Sequence, residues 1–115
     1  MDSKSIDNTL LQYREAAIHA ANTATSDPSE SNKWARQGRT CYMELRNSIE
    51  GRDGIVALMS DENPYVRTLA ASHSLQWTPE RARNVLKEIW ESNGPGAFEA
   101  KWTLREYDGG TLIFD

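Results

Sequence analysis

Cysteine is almost absent from this chain. Cys41 stands alone and cannot close an internal disulfide, which agrees with a reducing compartment. Histidine is nearly as scarce: His19 and His73 are far apart and neither lies near Cys41, so no metal centre with ligands one helical turn apart is expected. No cofactor is expected either. Long apolar runs are also missing, the longest aliphatic stretch being IVALM at residues 55–59, against the roughly 20 apolar residues of a membrane-spanning helix. The opening MDSKSIDNTLL has neither a basic start followed by an apolar stretch nor a small-residue cleavage site, so a cytoplasmic protein with no membrane role is expected. A basic excess is lacking as well. Residues 1–52 carry seven acidic and seven basic side chains, and residues 53–115 carry ten and six, so the net charge of −4 belongs to the second half. Phosphate backbones are a poor ligand for such a surface, and a basic protein partner is favoured.

What is present is enough for one core. The 115 residues are 38% hydrophobic, with four Trp and four Tyr spread along them, which suits a single globular domain over 1–115 and argues against disorder. Ile6, Leu10, Tyr13, Ala17, Ala20 and Ala24 recur at steps of three and four, predicting a helix over 5–24 capped by Ser3 or Ser5. Asp27-Pro28 opens a second helix with Trp34, Gly38, Cys41, Leu45 and Ile49 on one face, and Gly51 occupies the usual place of a C-terminal stop. Asp53-Gly54 restarts the chain before one or two apolar turns at 55–59.

Asn63-Pro64 and Thr78-Pro79 each read as a cap followed by a first-turn proline. Val66, Ala70, His73 and Trp77 follow the first, and Ala82, Val85, Leu86, Ile89 and Trp90 the second. Gly94-Pro95-Gly96 breaks that helix, and a last one over 97–107 carries Ala97, Ala100, Leu104 and Tyr107, with Phe98 and Trp102 close by, up to Gly109-Gly110. The terminal TLIFD has strand-like composition but no strand to pair with, and is expected to pack on the last helices or fray. The fold expected is all-α, about six helices in a short, right-handed, HEAT-like stack of antiparallel pairs.

Residues 53–77 carry the clearest resemblance. In HEAT-type repeats a short helix, a turn with an acid and a second helix opening in Val-Arg recur, with the acid and the arginine six positions apart. Asp61 and Arg67 have that separation, and VRTLAASHSL supplies the second helix. Over 53–112 the succession NPYVRTLAASHSL, TPERARNVLKEIW, GAFEAKWTLREYDGGTL resembles a family of small bacterial helical proteins catalogued as a domain of unknown function. Some members of that family are encoded near secreted polymorphic toxins, which implies an immunity role.

Several residues invite chemistry. His73 between Ser72 and Ser74 suggests a general base, but successive helical residues point about 100° apart, and no nucleophile turn is present. It reads as a packed histidine, and nothing is assigned as catalytic. Asp61 and Arg67 read as structural, the acid taking backbone N–H groups and the arginine tying neighbouring elements. Trp34 and Trp90 read as packing residues, whereas Trp77 and Trp102 are candidate anchors. The candidate partner-binding set is Glu80, Glu88, Glu91, Glu99, Trp102, Glu106 and Asp108.

The function expected is therefore non-catalytic: a protein-binding module, and most concretely an immunity protein that blocks a cognate, basic toxin domain. A HEAT-like structural adaptor is one alternative. A nucleic-acid-processing enzyme resembling HEAT-like DNA glycosylases is another, although such an enzyme wants a basic face that this chain lacks.

Overall fold

The computed structural model describes residues 2–114 and contains six helices: α1 (Ser3–Thr23), α2 (Pro28–Leu45), α3 (Ile49–Ala57), α4 (Pro64–Ser74), α5 (Pro79–Ser92) and α6 (Ala97–Asp108). A 3-10 turn, Leu58–Ser60, follows α3 directly. No strand is present among the described residues, and the all-α expectation holds. Contacts divide the chain into two units, 1–55 and 56–115.

In the first unit α1 and α2 form an antiparallel hairpin. Ser31 Oγ donates to Ala20 O (2.7 Å), the Trp34 ring stacks on His19, and Gln37 reaches Gln12, so positions along α2 rise as those along α1 fall. The cap of α1 is Asp2 rather than Ser3 or Ser5: its carboxylate accepts from Ser5 N–H at 2.8 Å, and that bond lowers its pKa. The buried face is Ile6, Thr9, Tyr13, Ala16 and Ala17. It is turned by about one residue from the predicted stripe, leaving Leu10 and Ala20 partly exposed. Asp27 caps α2 as expected, accepting from Glu30 N–H at 3.1 Å, and Pro28 fills the first turn.

The second helix ends at Leu45, about five residues earlier than predicted. Gly51 does not stop it; Gly51 lies buried inside α3, its backbone so close to the Leu45 carbonyl that a Cβ would overlap it. The signal read as a stop is a close approach. Ser48 Oγ accepts from Gly51 N–H (3.0 Å), and Arg52 Nε donates to the Arg46 carbonyl (2.7 Å), so the short connection at 46–48 is held from both sides. Asp53-Gly54 likewise does not restart the chain but continues α3, where the missing side chain of Gly54 makes room for Leu10.

The second unit contains α4, α5 and α6. Asn63 caps α4 as predicted, its Oδ1 accepting from Tyr65 N–H (2.9 Å) and Val66 N–H (3.2 Å). Asp61 Oδ1 accepts from Asn63 N–H (2.9 Å), and Arg67 Nη1 donates to the carbonyls of Asp61 (2.9 Å) and Glu62 (3.1 Å). These bonds lock the turn ahead of α4. Met59, Val66, Ala70, Ala71, Leu75, Ala82, Leu86, Ile89, Ala100 and Leu104 are the buried apolar side chains here. Burying each of the Val, Leu, Ile and Met side chains among them is worth about 1.5–3 kcal/mol.

Between α5 and α6 the chain turns through two left-handed residues, Asn93 (φ 54°) and Gly96 (φ 85°). Gly96 is also packed against α4: an added Cβ would lie 2.6 Å from Thr68 Oγ1. After α6 the tail folds back, Thr111 and Leu112 N–H donating to Glu106 O at 2.9 and 3.2 Å. It forms no strand over 111–114, and Asp115 lies outside the described residues.

Candidate partner-binding face

The acids expected to gather on one surface fall on separate stripes. Along α5, Glu80, Glu88 and Glu91 are exposed at steps that keep them on the solvent side with Asn84. Arg81 and Lys87 share that side, and Lys87 Nζ is 3.9 Å from Glu91. Glu88 and Arg67 both line a depression of about 250 Å³ between α4 and α5.

Asp108 belongs to a different groove. Its carboxylate is gripped bidentately by Arg83 of α5, Nη2 donating to Oδ2 at 2.9 Å and Nη1 to Oδ1. The bond to Arg83 holds the Asp108 carboxyl below its usual range and raises the guanidinium. Arg83, Lys87, Trp90, Glu91, Leu104 and Asp108 line a groove of about 370 Å³ between α5 and α6. Two of the predicted contact acids, Glu91 and Asp108, therefore already sit beside cations of their own chain.

Glu99, Trp102 and Glu106 do come together. Steps of three and four put them on one stripe of α6, and all three are exposed. Beside them lies Phe98, 69% exposed, with Trp102 at 45%. The two rings meet edge to face with centroids 6.0 Å apart, and the Arg105 guanidinium sits 5.6 Å from the centre of the Trp102 ring. Ala100 and Leu104 are the buried residues of α6, on its opposite side. The helix thus presents an aromatic ridge, Phe98–Trp102–Arg105, with Glu99 and Glu106 on one flank and Lys101 on the other.

The sequence reading named Phe98, like Trp102, only as lying close to the apolar side of the last helix, and left Phe98 out of the candidate binding set. The available signal was its spacing: 98, 102 and 105 form their own row, half a turn from Ala100 and Leu104. Trp34 and Trp90 are half-buried, in line with packing roles, and each borders a groove.

The reactive side chains have structural surroundings. Ser72 Oγ donates to Thr68 O (2.7 Å) and lies 3.4 Å from Thr103 Oγ1, which ties α4 to α6. Burial of the imidazole lowers the His73 pKa to about 3, so it is neutral at ordinary pH. The Ser74 hydroxyl is buried with no hydrogen-bond partner. Cys41 is buried, and burial together with the charge of Glu44 raises its thiol pKa, the reverse of an activated thiolate. Among the described residues no group of three or more His, Cys, Asp and Glu is placed to hold a metal ion, and no helix is long and apolar enough to cross a membrane.

No family model and no curated protein matches the chain. A solved structure does: the crystal structure of the protein RPA1889 from Rhodopseudomonas palustris CGA009 superposes with a TM-score of 0.85 over 98% of both chains, at 22% sequence identity. At that identity the likeness is one of fold, and the all-helical architecture is what the two proteins share.

Proposed function

We propose that this chain is a non-catalytic protein-binding module, an immunity protein that docks the α6 face onto a basic toxin domain in the cytoplasm. The observation that carries the reading is the exposed Phe98–Trp102 pair. Two adjacent large aromatic side chains left in water are costly for a monomer and suit anchors that enter a partner's pocket. Glu99 and Glu106 frame the ridge and favour a partner that presents Lys or Arg around that pocket. The acids on α5 extend the negative field and speed encounter rather than tighten the complex. The toxin class comes from the family resemblance of residues 53–112.

The test is co-expression with the C-terminal domain of a toxin encoded beside the gene. Rescue of growth with co-purification, both lost in the Phe98→Ala/Trp102→Ala double variant, is the expected outcome. Unrescued growth, together with base release from damaged DNA by the protein alone, would move the assignment to the nucleic-acid enzyme.

A further inference from the structure

The depression between α4 and α5 joins an aliphatic floor to one cation and one free carboxylate. Met59 and Ile89 are buried at its base, Val85 lies beside them half-buried, and Pro64 and Pro95 complete the wall. Steps of three and four along α5 put Val85, Glu88 and Ile89 on one row, so the helix brings its acid to the edge of its own apolar surface. At about 250 Å³ the space falls just below the roughly 300–1,000 Å³ of drug-sized pockets and suits a ligand of about ten heavy atoms.

Arg67 is the unusual member of this lining. It is half-buried, and both N–H groups of its Nη1 are occupied by the Asp61 and Glu62 carbonyls at 2.9 and 3.1 Å, which fixes the guanidinium before any ligand arrives. The Nε–Nη2 edge, the fork that takes a carboxylate side-on, makes no hydrogen bond among the described residues, and no carboxylate among them is paired with this arginine. Glu88, on the α5 wall of the same depression, is exposed and likewise makes no ion pair or hydrogen bond among the described residues.

We propose that this depression binds a free aliphatic α-amino acid, with its carboxylate on the Arg67 Nε–Nη2 edge, its ammonium on Glu88 and its side chain on Met59, Val85 and Ile89. The lining itself selects that class. A simple anion meets Glu88 at the border of the same space, a simple cation meets Arg67, and a neutral apolar molecule covers both charges without pairing either. A zwitterion with an aliphatic side chain satisfies all three parts at once. The α6 ridge takes no part, so the site goes beyond the docking role and does not depend on it.

A protein-observed NMR titration of the isotope-labelled full chain tests this, with L-leucine, N-acetyl-L-leucine, L-leucinamide and glycine as probes. Leucine should shift the backbone amides of Arg67, Glu88 and Ile89 saturably, with a Kd of about 1 mM or tighter. The other three, which lack in turn the ammonium, the carboxylate and the side chain, should each bind about tenfold more weakly or worse. Glu88→Gln, at an exposed position, should weaken leucine about tenfold and leave N-acetyl-L-leucine unchanged or tighter. Arg67→Lys should weaken leucine as well, since an ammonium offers no fork, and circular dichroism checks that its helices remain. No saturable shift up to about 20 mM leucine overturns the proposal, as does any of the other probes binding as tightly as leucine, or leucine binding that ignores Glu88→Gln. Either result leaves the toxin-docking test standing, and failed rescue in that test leaves the amino-acid site standing.

Discussion

Single residues show how differently neighbouring positions of one helix are used. His73 is neutral because burial lowers its pKa to about 3, while in the unfolded chain it protonates at about 6.5. The unfolded state therefore binds more protons between those values, and stability falls as pH drops below 6.5 and levels off below about 3. Between pH 6.5 and 4.5 the loss should be about 2 kcal/mol, measured by urea unfolding, and His73→Gln should remove most of that slope. The window lies above the range where Asp2 and Asp108 protonate, since both are held below 3.8. Gly96 makes a second test. Alanine there must adopt φ 85° and push against Thr68, so Gly96→Ala should cost about 2 kcal/mol or more in the same assay. The sequence showed Gly94-Pro95-Gly96 as a break, but which glycine was irreplaceable depended on α4 lying beneath it.

Elements were most legible where the chain states its own punctuation. Asn63-Pro64 and Asp27-Pro28 each open a helix where predicted, because a cap and a first-turn proline act within four residues and need no distant contact, and Thr78-Pro79 does so on its proline, the Thr78 side chain making no cap bond. Asn63→Ala removes the acceptor for two backbone N–H groups and should lower stability by about 1 kcal/mol, read as a shift in urea midpoint. Boundaries that depend on packing were misread. Gly51 resembles a stop, yet it lies inside α3 because its backbone is pressed against Leu45, and Gly51→Ala should destabilise by about 1–3 kcal/mol through overpacking. At the candidate site, Trp102, Glu99 and Glu106 were named from the sequence and share one stripe of α6, whereas Phe98 was noted beside the apolar side without a binding role. Asp108 was counted as an available acid, but Arg83, one helix away, had already claimed it.

For the molecule as a whole, the reading is of a surface that works by contact and charge. If α6 docks a basic partner, Glu99→Lys/Glu106→Lys should slow association strongly and flatten its salt dependence, while Trp102→Ala should mainly speed dissociation. Surface plasmon resonance with the co-purified partner, at low and high salt, separates the two. Equal effects on both rate constants from the charge change would argue against a rim role for those acids.

The order and number of helices, the Asp27 and Asn63 caps and the acidity of the second half were settled by the sequence, since these depend on local hydrogen bonding, periodic hydrophobicity and a sum of charges. Which aromatic rings face water, which acids keep their charge for a partner and which glycines tolerate no side chain were decided only in the tertiary structure. Each of those outcomes depends on atoms from another helix: Arg83 for Asp108, Thr68 for Gly96, Leu45 for Gly51. For α6, spacing defines two opposite rows, and packing alone selects which one is buried.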